Sequence, residues 1–272
     1  GQGRGGAGRG GAPLTAPYTD RVTMTLFQPE SLRRLWTGAE WTEGPLWIPS
    51  TGRVRFSDIP NHRIIDVDPA SGEAVIVASD SEYTNARAFD ARGRLIECSH
   101  GRRRVERIVD EATYASESVV DSWNGRRLNS PNDVVVDSSG AIWFTDPPYG
   151  IAPEGREGHP GEQEYGGCFV FRYTPATGEL AAAITTMRHP NGLAFSPDES
   201  RLYVSDTGHA WDTDARGEIL VFDIDDGEPI GGTRFACVDV GASDGIKVDG
   251  SGRLWSSAGD GVYVFSPDGA LV

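Results

Sequence analysis

One short pattern of residues occurs five times along this chain. Each copy begins with a polar head residue, continues as an apolar strand, turns at Asp, Ser or Gly, and ends in a second strand. The heads, which are 42, 47, 59 and 53 residues apart, are Glu43, Asn85, Asn132, Asn191 and Asp244. A third strand and another turn often follow, as in CFVFRYTPATGEL. Repeats of about 40–50 residues that hold about four short strands predict a β-propeller.

The repeats predict an all-β chain with one propeller domain over residues 18–272. The Gly-rich residues 1–17 are expected to be a flexible leader or an expression remnant. Only 28 residues follow Asp244, which is enough for about three strands. A five-bladed ring would therefore use TMTLFQP at residues 23–29 as its last strand, whereas a six-bladed ring would need a further repeat.

Composition narrows the partners of the chain. The net charge of −15 argues against nucleic acid and anionic membranes, since both attract a basic surface. The longest apolar runs are too short to span a bilayer. Three widely spaced cysteines suggest free thiols and a cytoplasmic location, with the periplasm as the alternative. We expect a monomer or weak homodimer that binds a small molecule.

The five heads carry the strongest functional signal. Equivalent residues before the innermost strands of a propeller converge on one mouth of its central channel. Every head has a side-chain oxygen, and two are carboxylates that would repel each other unless neutralised. Such a set suits a hard divalent cation, calcium first, with magnesium or manganese possible and zinc less suited. The alternative is that each head is an ordinary turn residue.

Four motifs in order resemble the gluconolactonase and regucalcin (senescence-marker-protein) family of calcium-dependent, six-bladed β-propellers. They are EGPLW, SPND, HPNG and SDGIKVDGSGRLW, and the resemblance covers about residues 25–272. It implies one divalent cation at the propeller axis and hydrolysis of sugar lactones. It also implies a sixth blade, so we expect the sequence as given to lack about one repeat at its C-terminal end.

The resemblance also assigns roles to single residues. It makes Glu43, Asn191 and Asp244 metal ligands, with Asp244 also catalytic. Asn132 matches a pocket asparagine that contacts substrate or metal, and Asp133 beside it is predicted to bind substrate. The chain departs from the animal members of the family at Ser130, where they carry an arginine, so contacts to sugar hydroxyls are expected to differ.

Two further predictions concern the surroundings of the axis. The long polar insertion at residues 147–167 is expected either to shape the pocket, with Tyr149 as a substrate-binding wall, or to be a surface loop. Asn85 receives no role from the resemblance. The five histidines show no zinc-site spacing. His189 and His209, which flank the fourth hairpin, are expected either to reach the pocket or to be solvated loop residues.

The predicted chemistry is lactone hydrolysis, with the cation polarising the carbonyl and Asp244 activating water. Three alternatives stay open at this point. The same heads would serve a phosphotriesterase resembling diisopropylfluorophosphatase. A non-catalytic propeller scaffold would have no need of Asp244, and a calcium-binding protein without turnover would bind metal and hydrolyse nothing.

Overall fold

The computed structural model describes residues 34–208 and 217–272. The predicted leader at residues 1–17, the strand predicted at residues 23–29 and His209 lie outside the described residues. Within them the chain forms 21 strands, and all but one pair of short strands belong to five antiparallel sheets. Each sheet holds consecutive strands in chain order, which is the topology of propeller blades.

The first two blades have four strands each. Blade one contains β1 (Thr42–Ile48), β2 (Arg53–Asp58), β3 (Arg63–Val67) and β4 (Ala74–Ala78). Blade two contains β5 (Thr84–Phe89), β6 (Leu95–Ser99), β7 (Arg104–Asp110) and β8 (Ala115–Val120). A separate two-stranded ribbon, β9 (Ser122–Trp123) and β10 (Arg126–Arg127), connects to the next blade.

The remaining blades follow the same order. Blade three contains β11 (Val134–Val136), β12 (Ile142–Asp146), β13 (Phe169–Thr174) and β14 (Glu179–Ile184). Blade four contains β15 (Pro190–Phe195), β16 (Arg201–Asp206), β17 (Gly217–Asp225) and β18 (Glu228–Val238). Blade five contains β19 (Ile246–Val248), β20 (Leu254–Ala258) and β21 (Gly261–Phe265).

Repeated turn chemistry explains why the inner hairpins form. In blade three, the Asp137 carboxylate accepts the backbone N–H of Ala141 at 2.9 Å, and Gly140 adopts a φ of 86° that favours glycine. The same Asp-x-x-Gly turn recurs at Asp90 and Asp249. These local bonds fix the hairpin register without help from the rest of the fold.

The apolar core lies between consecutive blades. Ile96 and Val105 of blade two pack with Phe144 and Phe171 of blade three in one cluster of buried side chains. Equivalent clusters join blades three and four around Trp143 and blades four and five around Tyr203. Blades three and four therefore bury both faces against their neighbours, which holds their inner strands at fixed positions around the axis.

The propeller prediction is confirmed, with five blades in the described residues. The six blades implied by the family resemblance are not confirmed. Helical structure in the described part of the chain is limited to short turns such as Ile59–Asn61 and Tyr149–Ile151. No helix in those same residues is both long and apolar enough to cross a membrane.

Candidate active site

The five head residues meet at one cavity, as the repeat predicted. A cavity of about 550 Å³ is lined by all of them, namely Glu43, Asn85, Asn132, Asn191 and Asp244. Two glycines that follow heads permit this close approach of the inner strands. A Cβ on Gly44 would lie 2.4 Å from the Asn85 carbonyl oxygen, and one on Gly192 would lie 2.4 Å from the Asp244 carbonyl oxygen.

Irregular strand pairing turns three of the heads toward the axis. The pairing register shifts between Glu43 and Leu46 in β1, between Thr84 and Arg87 in β5, and between Pro190 and Leu193 in β15. A β-bulge bends its strand and redirects the side chains that lie within it. The heads of blades one, two and four lie at these bulges.

An aspartate at the end of the second strand holds the loop before the head in three blades. In each case its carboxylate accepts backbone N–H groups from the residues three and two positions before that blade's head. The sets, at 2.7–3.3 Å, are Asp58 with Glu40 and Trp41, Asp146 with Asn129 and Ser130, and Asp206 with Arg188 and His189. We call these three residues the clamp aspartates.

The hydroxyl residue before each clamp aspartate holds the next head. Ser57 donates to the carbonyl oxygen of Asn85 at 2.8 Å, and Thr145 donates to that of Asn191 at 2.7 Å. Ser205 donates to the carbonyl oxygen of Asp244 at 2.7 Å. The last two residues of each of these hairpins therefore act on two heads. The aspartate holds the loop before the head of its own blade, and the hydroxyl residue holds the backbone of the head of the next blade.

Four of the head side chains form a hydrogen-bonded chain across the cavity wall. Asn85 Nδ2 donates to Asn132 Oδ1, and Asn132 Nδ2 donates to Asn191 Oδ1 at 2.6 Å. The Asn191 side chain in turn hydrogen-bonds the Asp244 carboxylate. The three asparagines are buried, so the orientations of their amide groups depend on neighbouring side chains rather than on solvent.

The two head carboxylates disfavour each other's ionised form. Burial, followed by the charge of Asp244, raises the pKa of Glu43 to about 8, against the hydrogen bond from Trp41 Nε1 at 3.0 Å. Burial and the charge of Asp133 raise the pKa of Asp244, and the Asn191 hydrogen bond opposes this. The lysine at this wall, Lys247, pairs with Asp133 at 3.4 Å.

The donor set at this wall suits a hard cation. It offers two carboxylates and the amide oxygens of neighbouring asparagines, with no thiol, and hard divalent cations prefer such oxygen ligands. Within residues 34–208 and 217–272, no three His, Cys, Asp or Glu side chains are grouped as a metal cluster. A cation at this wall would therefore depend on amide oxygens as well as on Glu43 and Asp244.

Of the two further residues predicted to bind substrate, Asp133 lines the cavity and Tyr149 is not among its lining residues. Asp133 is buried at the cavity wall, where its Oδ2 accepts the backbone N–H of Leu193 at 3.2 Å in addition to Lys247. The Tyr149 hydroxyl hydrogen-bonds Thr207 Oγ1. Burial and, less strongly, the charge of Asp244 raise the pKa of Tyr149. The role of both residues in binding substrate stays a prediction.

Sequence reasoning missed His100 and Glu157. His100 is fully buried, and its Nε2 lies 3.1 Å from Asn132 Oδ1, while burial lowers its pKa to about 4. Glu157, from the insertion at residues 147–167, lies next to it, and burial and the charge of Asp244 raise its pKa to about 7. A signal for His100 was present, since it follows Ser99 where three other hairpins place a clamp aspartate.

Comparison with known sequences identifies the family. The profile described as the SMP-30/Gluconolactonase/LRE-like region matches residues 41–272. The chain belongs to this family. It is 34% identical over 251 residues to a gluconolactonase of Zymomonas mobilis, covering 85% of this chain and 68% of that relative. It is 27% identical over 235 residues to a pentonolactonase of Haloferax volcanii, covering 85% and 71%.

Solved structures agree with the family assignment. A gluconolactonase from Xanthomonas campestris superposes with a TM-score of 0.80 at 39% identity, covering 88% of this chain and 76% of that one. A calcium-binding protein, regucalcin, from Agrobacterium tumefaciens superposes with a TM-score of 0.67 at 20% identity, covering 87% and 74%. The second likeness concerns the fold alone.

Proposed function

We propose that this chain is a hydrolase that opens a sugar lactone at the axial cavity. Membership of the family and the similarity to a gluconolactonase and a pentonolactonase support the substrate class. The observation that carries the proposal is the hydrogen-bonded chain from Asn132 through Asn191 to Asp244, which lies beside Glu43 on one cavity wall. The six-bladed ring that the family implies remains part of this proposal.

A divalent cation fits these residues. Glu43, Asn191, Asp244 and Asn132 would hold it, with calcium as the first choice and magnesium, manganese or zinc as alternatives. Burial and the nearby charge of Asp244 raise the pKa of Glu43. The two carboxylates at this wall are therefore not neutralised by a nearby positive charge, which a bound cation would supply. When bound, such a cation supplies Lewis-acid polarisation of the lactone carbonyl.

Asp244 is the residue proposed to move the proton. The attacking water adds to the carbonyl carbon, Asp244 accepts its proton, and the ring C–O bond then breaks. The same proton passes to the departing ring oxygen, which becomes a hydroxyl of the open aldonic acid. Burial and the charge of Asp133 raise the pKa of Asp244, whereas a cation held by the same carboxylate would lower it, so the two effects together set its strength as a base.

The neighbouring residues are proposed to orient the substrate. Asn132 lies between Asn85 and Asn191 with its amide at the cavity wall, where it can meet the lactone carbonyl or a ring hydroxyl. Asp133 and Tyr149 are proposed as further contacts to the sugar. The cavity of about 550 Å³ is large enough for a single sugar ring.

Hydrolysis of glucono-δ-lactone tests the proposal. Proton release would be followed above the spontaneous rate, first with chelated protein and then with calcium, magnesium, manganese or zinc restored. We expect turnover that depends on the cation and that Asp244→Asn removes. Turnover of a phosphotriester but of no lactone, or no turnover with any cation, would overturn the lactonase proposal.

A further inference from the structure

The second hairpin departs from the first, third and fourth at one position. Where the first, third and fourth hairpins place a clamp aspartate, the second places His100 directly after β6. The loop before its head is held differently, because Glu82 and Tyr83 adopt φ values of 53° and 55°. The backbone N–H of His100 then donates to the Tyr83 carbonyl oxygen at 3.2 Å, and that of Gly101 donates to the Glu82 carbonyl oxygen at 3.0 Å. The His100 side chain is therefore not needed for the loop.

The imidazole instead joins two parts of the site. Its Nε2 lies 3.1 Å from Asn132 Oδ1 and 3.4 Å from Asn85 Nδ2. Its Nδ1 lies 3.0 Å from the backbone carbonyl oxygen of Glu157 and 3.6 Å from the Glu157 carboxylate. The His100 side chain has no exposed surface. The Gly150 backbone packs so closely against it that a Cβ added to Gly150 would lie 2.5 Å from the His100 Cβ. The ring therefore has no room to turn away.

The position of hydrogen on this ring decides how Asn132 is oriented. A carbonyl oxygen only accepts, so a hydrogen on Nδ1 satisfies the contact with Glu157 and leaves Nε2 as an acceptor. An acceptor at Nε2 favours an Asn132 amide that turns its NH₂ toward His100 and its oxygen toward Asn191. A hydrogen on Nε2 favours the opposite orientation, with Asn132 Oδ1 facing the ring.

We propose that His100 is a positioning residue that sets the orientation of the Asn132 amide and ties it to the backbone of the loop at residues 147–167. In the structure Asn132 turns its Oδ1 toward His100 and its Nδ2 toward Asn191. The opposite orientation exchanges these two atoms, so the orientation determines which of them is engaged by neighbouring side chains and which can serve as a cation ligand or a hydrogen-bond donor. Residues that orient ligands from outside the coordination shell commonly change cation affinity or activity by about 10–100-fold. The inference rests on the proposed function.

Two substitutions separate the two contacts of the ring. His100→Gln keeps an amide group near the position of Nε2, within reach of Asn132, and loses the bond to Glu157. His100→Asn keeps a donor near the position of Nδ1 and loses the bond to Asn132. The matched control is His159→Asn. His159 lies on the loop at residues 147–167 that His100 contacts, its side chain is 60% exposed, and its Nε2 lies 2.9 Å from the Glu82 carboxylate.

Calorimetric titration with calcium and lactone kinetics would be measured on all four proteins. We expect His100→Asn to lose about 10–100-fold in calcium affinity and in kcat, with His100→Gln within about 3-fold of wild type and His159→Asn unchanged. The reverse order, in which His100→Gln loses calcium affinity and His100→Asn retains it, would show that His100 only anchors the loop. Equal behaviour of both variants and wild type would also overturn the proposal.

A measurement on the wild-type protein covers the case in which neither variant folds. The ring nitrogens of His100 would be followed by ¹⁵N NMR while calcium is added to the chelated protein. We expect the ring to hold a single tautomer before and after calcium is added, because a positioning residue keeps Asn132 in one orientation. A mixture of tautomers at calcium saturation would contradict the proposal. If wild type neither binds calcium nor opens a lactone, the proposed function fails; if it does both and the variants match it, only this inference fails.

Discussion

The hairpin ends of this propeller divide into residues that face the preceding loop and residues that face the axis. The clamp aspartates, Asp58, Asp146 and Asp206, bind backbone N–H groups and hold loops in place. His100 occupies the same position in the second hairpin and contacts the axial asparagines. One position in the repeat therefore serves stability in blades one, three and four and the candidate active site in blade two, and four predictions test this division.

The largest effect is expected at the axis. Asp244→Asn removes the proposed base and should lower kcat for a sugar lactone by about 10²–10⁴-fold. The melting temperature in chelator should not fall, since the substitution removes a buried carboxylate whose charge disfavours the ionised form of Glu43. Proton-release assays and circular dichroism measure the two effects. A variant that retains kcat would remove Asp244 from the mechanism.

Substitution of a clamp aspartate should produce the opposite result. Asp146 accepts the N–H groups of Asn129 and Ser130 at 2.7 and 2.8 Å and is fully buried. Asp146→Asn turns an NH₂ toward one of these donors and should lower the free energy of unfolding by about 2–3 kcal/mol. Urea unfolding measures the loss, with Asp223→Asn as control because the Asp223 side chain is 79% exposed. The calcium affinity of the folded variant should stay near that of wild type. A large loss of affinity would show that Asp146 serves the candidate active site as well as the loop.

Glu43→Gln should change stability in a direction that depends on pH and cation. The pKa of Glu43 rises from 4.5 unfolded to about 8 folded, so the protonated form is favoured and its stabilising contribution is lost as pH rises through about 8. In chelator at pH 9 the variant should exceed wild type by about 1–2 kcal/mol, and at pH 4 the two should agree. Saturating calcium should reverse the order, because glutamine is the weaker ligand. Melting curves at both pH values, with and without calcium, check each sign.

The smallest effect is expected at the hydroxyls that hold the next head. Ser205→Ala removes the bond to the Asp244 carbonyl oxygen and the acceptor of the Gly192 N–H. Thr145→Val removes the bond to the Asn191 carbonyl oxygen and the acceptor of the Asp133 N–H. Each should lower the free energy of unfolding by about 1 kcal/mol. Urea unfolding of the single and double variants would detect this loss. Changes in kcat beyond about 3-fold would mean that these backbone contacts position the heads more tightly than one ordinary hydrogen bond implies.

The fold and the five heads were open to prediction because both are written locally. Turn residues such as Asp137 and Gly140 determine their own hairpin, and the repeat period then indicates blades around an axis. The roles of Glu43, Asn132, Asn191 and Asp244 came from the family resemblance. The structure places these residues on one cavity wall, and their chemical roles stay predictions.

The surroundings of the heads were not open to prediction from the same pattern. Glu157 follows Asn132 by 25 residues in an insertion with no repeat, and only loop packing brings it next to His100. His100 itself was visible as an exception to the hairpin ending, yet its contact with Asn132 crosses from blade two to blade three. Contacts between blades depend on how the sheets pack, which no single repeat encodes.

The sequence alone determined the β-propeller class, the positions of the five heads and their convergence on an axis, because hairpin turns and strand periodicity are properties of neighbouring residues. Tertiary structure decided which side chains the heads touch. The chain from Asn85 to Asp244, the repulsion between Glu43 and Asp244, and the link from His100 to the loop all join residues from different blades. Such contacts arise only when packed sheets bring distant residues within hydrogen-bond distance in a buried site.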